Sequence, residues 1–263
     1  MTRRLLALGL AALLLSCGRP EVIAELPSGQ TVTVAQPSFG DAKPHPWSGR
    51  APSSYQVHGI DVSRFQGPID WPTAASAGVS FAFIKATEGG DRVDAAFHEN
   101  WRGAGRAGVP RGAYHFFYFC RPAAEQADWF IRTVPKSPRA LPPVLDMEWN
   151  PFSPTCTFRP EPAVVRAEAL TFLRQVGAHY GRRPIIYTTI DFFERNEMWR
   201  LTGYDFWLRS VAAHPHERYA GHPWTFWQYT GTGIVPGIGK VTDINVFNGD
   251  ATRWAAWLAL NLR

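Results

Sequence analysis

The sequence predicts an α/β fold, an irregular TIM-like β/α barrel in a single domain, and three observations predict it. Short apolar, β-prone runs alternate with helical stretches between residues 57 and 260, the pattern of a mainly parallel sheet with helices packed on it. Eight such strand candidates occur, the number that closes a barrel. The texture is uniform over residues 55–263, with no internal repeat and no second linker, so one domain is the simplest parse. Several connections are too short for a full helix, which makes the barrel irregular.

The chain opens with Arg3 and Arg4, an apolar run over 5–15, then Ser16 and Cys17. A short basic start, a short apolar core and small residues make a secretory signal of residues 1–16. The apolar run falls short of the roughly 20 residues that span a bilayer. Its end, Leu14-Leu15-Ser16-Cys17, resembles a bacterial lipoprotein signal, which makes Cys17 the candidate lipidation site and new N-terminus. A soluble secreted protein cleaved nearby is the alternative.

Residues 17–54 hold Pro20, Pro27, Pro37, Pro44, Pro46 and Pro52 with little apolar periodicity, and read as a linker or irregular arm. Strands are expected at 57–62, 79–85, 112–119, 143–148, 184–188, 205–208, 225–229 and 243–247. Helices are expected at 95–107, 123–133, 162–180 and 252–260. The third has a Pro at its start and Gly181 just past its end. The last places Trp254, Trp257 and Leu258 at i, i+3 and i+4, so they should face the core.

Composition narrows the classes further. A hydrophobic content of 45% against 19% charged residues is that of a globular protein with a real core. Eleven Trp and 17 Phe suit either that core or a groove that stacks on sugar rings. The net charge of +5 falls to +3 once Arg3 and Arg4 leave with the signal, too mild for nucleic acid as a partner. With Cys17 lipidated, Cys120 and Cys156 remain, and an even count in an exported protein suggests one disulfide, with two buried free thiols as the alternative.

Reactive groups of a parallel barrel gather at the C-terminal ends of its strands. The first strand runs into Asp61, the fourth carries Asp146 and Glu148, and the last opens at Asp243. Residues i and i+2 share a strand face, so Asp146 and Glu148 enter one pocket together. Two carboxylates in a shared, partly desolvated site repel, and one tends to hold a proton near neutral pH. That is the need of glycosidic cleavage, in which one carboxyl protonates the leaving oxygen and the other supports the oxocarbenium-like centre. A solvated strand end or a metal site would show the same spacing, but the apolar run over 141–145 buries this strand. The histidines form no metal-ligand spacing, and neither a phosphate loop nor a Gly-x-Ser-x-Gly turn occurs, so no metal and no cofactor is expected.

Seven motifs in order carry a family resemblance: His58-Gly59-Ile60-Asp61-Val62-Ser63 with Gln66-Gly67 and Asp70-Trp71; Phe83 to Gly89; Gly112-Ala113-Tyr114-His115-Phe116; Leu145-Asp146-Met147-Glu148; Pro184 to Thr188; Trp227-Gln228-Tyr229; and Asp243 to Phe247. Over residues 57–249 the chain closely resembles glycoside hydrolase family 25, the Chalaropsis-type lysozymes. The resemblance implies a barrel with a long groove that cleaves peptidoglycan strands between N-acetylmuramic acid and N-acetylglucosamine. It carries the acid role onto Glu148, the second essential carboxylate onto Asp146, and cavity-lining acids onto Asp61 and Asp243. Tyr114, Tyr187 and Gln228 fall within matching motifs as candidate sugar contacts. His115 reads as structural, and Lys85 with Glu88 as an ion pair beside the second strand end.

Two departures stand out. The segment 150–160 looks longer than the familiar pattern, holds Cys156 and would sit at the groove rim; Arg209 follows Trp207 and Leu208 where relatives carry a Trp-Ile-Ala run. The expected protein is a monomer exported to the bacterial envelope, anchored by an N-terminal lipid or secreted, with peptidoglycan glycan strands as its partner. A non-catalytic glycan-binding envelope lipoprotein and a hydrolase of another polysaccharide are the rival readings. A missing acid would favour the first, and all four acids are present.

Overall fold

The computed structural model describes residues 21–25, 31–137 and 139–262; the signal segment 1–16 and Cys17 lie outside them. Eight strands close the barrel: β4 (His58–Val62), β5 (Phe81–Glu88), β7 (Arg111–Phe116), β8 (Val144–Met147), β9 (Ile185–Thr188), β10 (Phe206–Arg209), β11 (Phe226–Ile234) and β12 (Thr242–Phe247). Each matches a strand expected from the sequence. The ring runs β4-β5-β7-β8-β9-β10-β11-β12 and returns to β4. Strands β4 to β11 of this ring are parallel, while β12 is antiparallel to both of its neighbours. The loop 235–241 between β11 and β12 is too short for a crossover helix, so the chain must turn back. That reversal brings the first residues of β12 to the mouth formed by the C-terminal ends of the others, with Asp243 in register with Asp61.

Phenyl and indole rings fill the barrel interior. Phe83 stacks on Trp207 with centroids 4.5 Å apart, and Phe81 meets Phe226 at 5.0 Å. Gly59 and Gly112 make room for them: a Cβ would lie 2.5 Å from the Phe81 ring at the first and 2.9 Å from Phe83 at the second. Outside, α2 (Phe97–Arg106), α3 (Ala123–Thr133) and α4 (Pro162–Tyr180) pack their apolar faces on the strands. Gly181 ends α4 at φ 66°, the left-handed cap expected there. At the base, α7 (Ala251–Asn261) buries Trp254 and Leu258, and half-buried Trp257 packs against Phe226 at 5.2 Å.

The short helices α1 (Trp71–Ser76), α5 (Ile190–Arg195) and α6 (Pro215–Arg218) and the two-residue strand β6 (Arg92–Val93) complete the connections. The segment read as a linker or irregular arm is, in its described part, laid against the barrel. Strands β1 (Glu21–Glu25) and β2 (Thr31–Ala35) form an antiparallel hairpin whose Ala24 and Val34 join the cluster containing Trp254. Strand β3 (Gly40–Asp41) pairs with β11, and Trp47 packs edge-on against Trp227 at 5.2 Å. The β-branched run Thr-Val-Thr-Val gives β2 its strand character despite the surrounding prolines.

Cys120 and Cys156 form a disulfide with Cα atoms 5.8 Å apart. It ties the turn after β7 to the segment 150–160.

Candidate active site

Three strands deliver four acids to one cavity of about 420 Å³ at the barrel mouth: Asp61 from β4, Asp146 from β8 with Glu148 just past it, and Asp243 from β12. Tyr114, Tyr187 and Gln228 face the same cavity, so every candidate sugar or catalytic residue is brought together. Their roles differ from one another. Asp61 is buried, and its Oδ2 accepts hydrogen bonds from Gln228 Nε2 at 2.9 Å and Asn245 Nδ2 at 2.8 Å. Tyr187 donates its hydroxyl to Gln228 Oε1 at 2.9 Å, and Trp207 Nε1 donates to Asn245 Oδ1 at 2.7 Å. Two amides, each oriented from behind by an aromatic donor, thus hold one carboxylate oxygen still. The geometry gives Gln228 and Tyr187 a positioning task on Asp61. Asn245 and Trp207 belong to that network too, and sequence reasoning gave them no role. Asn245 stands two residues from Asp243 on one strand, so alternation alone marks it as facing the same side.

Crowding and burial set the protonation of this cluster. Burial raises the Asp61 carboxyl well above its ordinary range, repulsion from Asp243 adds to that, and the two amides oppose it. Burial does the same to Asp146, with Glu148 as the next contributor and Lys85 opposing. Glu148 is pushed up to about 7, by burial first and by Asp243, against the pull of Arg209 and Lys85. Asp243 is raised to about 6 by burial, with Arg209 again opposing. The arginine that departs from the familiar run is therefore the cation that tempers both acids. Lys85 is paired with Glu88 at 2.6 Å, as expected. His115 is fully buried between Thr87 Oγ1 at 2.7 Å and Gln126 Oε1 at 3.0 Å, and burial lowers it to about 4, which makes it a neutral structural group.

The acid cluster also leaves a mark on stability. A carboxyl whose pKa is raised on folding favours the fold while protonated; that contribution is whole below the ordinary value of 4.5 and is lost as pH rises through about 7. Glu148→Gln is therefore expected to match the native protein's melting temperature at pH 4 and exceed it at pH 8. The full shift corresponds to roughly 3 kcal/mol, and partial exposure of Glu148 reduces that to about 1–2 kcal/mol, or on the order of 2–8 °C. Thermal melts at the two pH values check it, and equal or lower stability of the variant at pH 8 sinks the idea.

A strand-borne acid pair with a proton held near neutrality, beside two more acids in a groove, is equipment for cleaving acetals. The family model for glycosyl hydrolases family 25 matches residues 60–238. The chain belongs to glycosyl hydrolase family 25. Among relatives of this family 25 protein, the uncharacterized protein YegX of Escherichia coli K12 is 37% identical over 217 residues, covering 80% of this chain and 76% of YegX. Lysozyme M1 of Streptomyces globisporus is 39% identical over 215 residues, covering 76% of this chain and 70% of its own length. The solved structure of a family 25 glycosyl hydrolase from Bacillus anthracis superposes with a TM-score of 0.72 at 34% identity, covering 82% of this chain and 98% of that one.

Proposed function

We propose that this family 25 hydrolase is a muramidase, cleaving the β-1,4 bond between N-acetylmuramic acid and N-acetylglucosamine in peptidoglycan. The observation that carries the reading is the shared face of Asp146 and Glu148 at the mouth, with Glu148 held protonated up to about pH 7. The activity named for the Streptomyces globisporus relative supports the substrate class. Glu148 gives its proton to the leaving glycosidic oxygen as the bond to the anomeric carbon breaks, and water supplies the hydroxyl that replaces it. Asp146 is buried, and its Oδ1 has no hydrogen-bond partner among the described residues. An acceptor kept unpartnered beside the reacting sugar suits the N–H of the acetamido group, which Asp146 would orient and stabilise as positive charge grows.

Digestion of purified peptidoglycan tests the reading through the new reducing ends. Muramic acid ends are expected, and kcat/KM should decline above about pH 7 as Glu148 loses its proton. Glucosamine reducing ends, or no cleavage, would overturn it.

The domain reading extends this to the cell: residues 1–16 direct export, 17–54 form the arm, and 55–263 act as a monomeric catalytic domain. Cys17 carries the lipid that holds the enzyme at the envelope. One acyl chain binds a membrane only marginally, so a multiply acylated cysteine is the anchor expected. Cys17→Ser should move the enzyme from the membrane to the soluble fraction. A native N-terminus that mass spectrometry finds unmodified and starting elsewhere would exclude lipidation.

A further inference from the structure

Glu148 also walls a second cavity, of about 190 Å³, whose other boundaries include Tyr118, Trp149, Asn150, Phe158 and Arg159. Much of that boundary comes from the segment 150–160, and the segment is fastened at several points. The Cys120–Cys156 disulfide holds its middle, Asn150 Nδ2 at its start donates to the Tyr118 hydroxyl at 2.7 Å, and within it Cys156 N donates to Ser153 Oγ at 3.0 Å. A cavity bounded by a fastened loop keeps its shape without a ligand, which lowers the ordering cost of binding one.

Its charge is as telling as its shape. The guanidinium of Arg159, which lines the cavity, lies 4.9 Å from the Trp149 ring centroid, and that of Arg195, outside the lining but on the same indole, lies 5.8 Å from it. Trp149 is itself set by packing on Phe192 at 4.6 Å and Phe119 at 5.4 Å. Both arginines are exposed, and among the described residues neither forms an ion pair with a carboxylate. Two guanidinium groups resting on one indole, with no internal counter-charge, are donors prepared for an anion. Phe158, 63% exposed, adds apolar surface at the same rim.

We infer that this cavity receives the acidic peptide stem borne by the muramic acid residue of the substrate. The inference rests on the muramidase reading and adds to it a recognition site for the stem. The sugar being cleaved must meet Asp146 and Glu148, so a substituent on it starts beside the space that Glu148 also borders. Neutral sugar rings have no use for the two guanidinium groups, whereas a peptide carrying free carboxylates does.

The test compares soluble glycan oligosaccharides bearing intact stems with the same strands freed of stems by an amidase. The native enzyme should favour stem-bearing strands by about tenfold in kcat/KM at low ionic strength, a few-fold per guanidinium, and the preference should shrink as salt is added. The double variant R159Q/R195Q should lose about tenfold on stem-bearing strands, mainly through KM, and less than about twofold on stem-free strands. Equal native rates on the two substrates overturn the stem site, as does an equal loss by the variant on both. If the native enzyme cuts neither, the muramidase reading falls and takes this one with it.

Discussion

Glu148→Gln is expected to lower the rate of peptidoglycan cleavage by about 10²–10⁴, with binding of glycan retained. The amide keeps the shape of the side chain and removes the proton that the leaving oxygen needs. The other acids of the cavity lie on a different strand pair from Asp146 and Glu148. Asp61 is held by two amides, and Asp243 is the acid in register with it on the neighbouring strand. Asp146→Asn should be impaired to a similar degree, because the amide can put an N–H donor where the acetamido group of the sugar needs an acceptor. The double variant should be little worse than either single one, since the pair acts as a unit. Rates on purified peptidoglycan, with binding to the same material measured in parallel, decide the matter. Native turnover in Glu148→Gln beside a dead Asp146→Asn would reverse the assignment of the acid. Full activity in both would remove the pair from the mechanism altogether.

The barrel was legible because its strands are short apolar runs bounded by turn residues, and because α3 and α4 carry a full helical period over several turns. Helices of four to six residues, such as α1, α5 and α6, offer too few turns for a period to emerge. The hairpin of β1 and β2 hid among prolines, where composition spoke for an arm and only packing against α7 reveals strands. The acids could be named one by one, since each lies at a strand end. What holds them could not. Gln228 and Asp61 are 167 residues apart, and their hydrogen bond depends on β12 reversing direction to complete the ring. Pairing across a closed barrel is a tertiary fact, and a strand's own alternation says only which side a residue faces.

Removing the Cys120–Cys156 disulfide is expected to cost stability first and substrate choice second. The bridge closes a separation of 36 residues, which the loop-entropy relation values at roughly 3–4 kcal/mol. For a domain of this size that corresponds to a fall in melting temperature on the order of 6–16 °C. Serine at both positions avoids a stray thiol and should reproduce the effect of reductant on the native protein. Strand β8, which carries Asp146, is buried throughout and hydrogen-bonded to β7 and β9, so turnover of small glycan fragments should persist below the new melting point. The segment 150–160 keeps Asn150 on Tyr118 and Arg159 near Trp149 but loses its covalent fastening. Discrimination between stem-bearing and stem-free strands should therefore weaken in the double serine variant before catalysis does. Melts with and without reductant, joined to a thiol count on the unfolded, unreduced protein, provide the check. Two titratable thiols at Cys120 and Cys156 in the unreduced protein, or a melt that reductant leaves unmoved, would show that the bridge does not hold the rim.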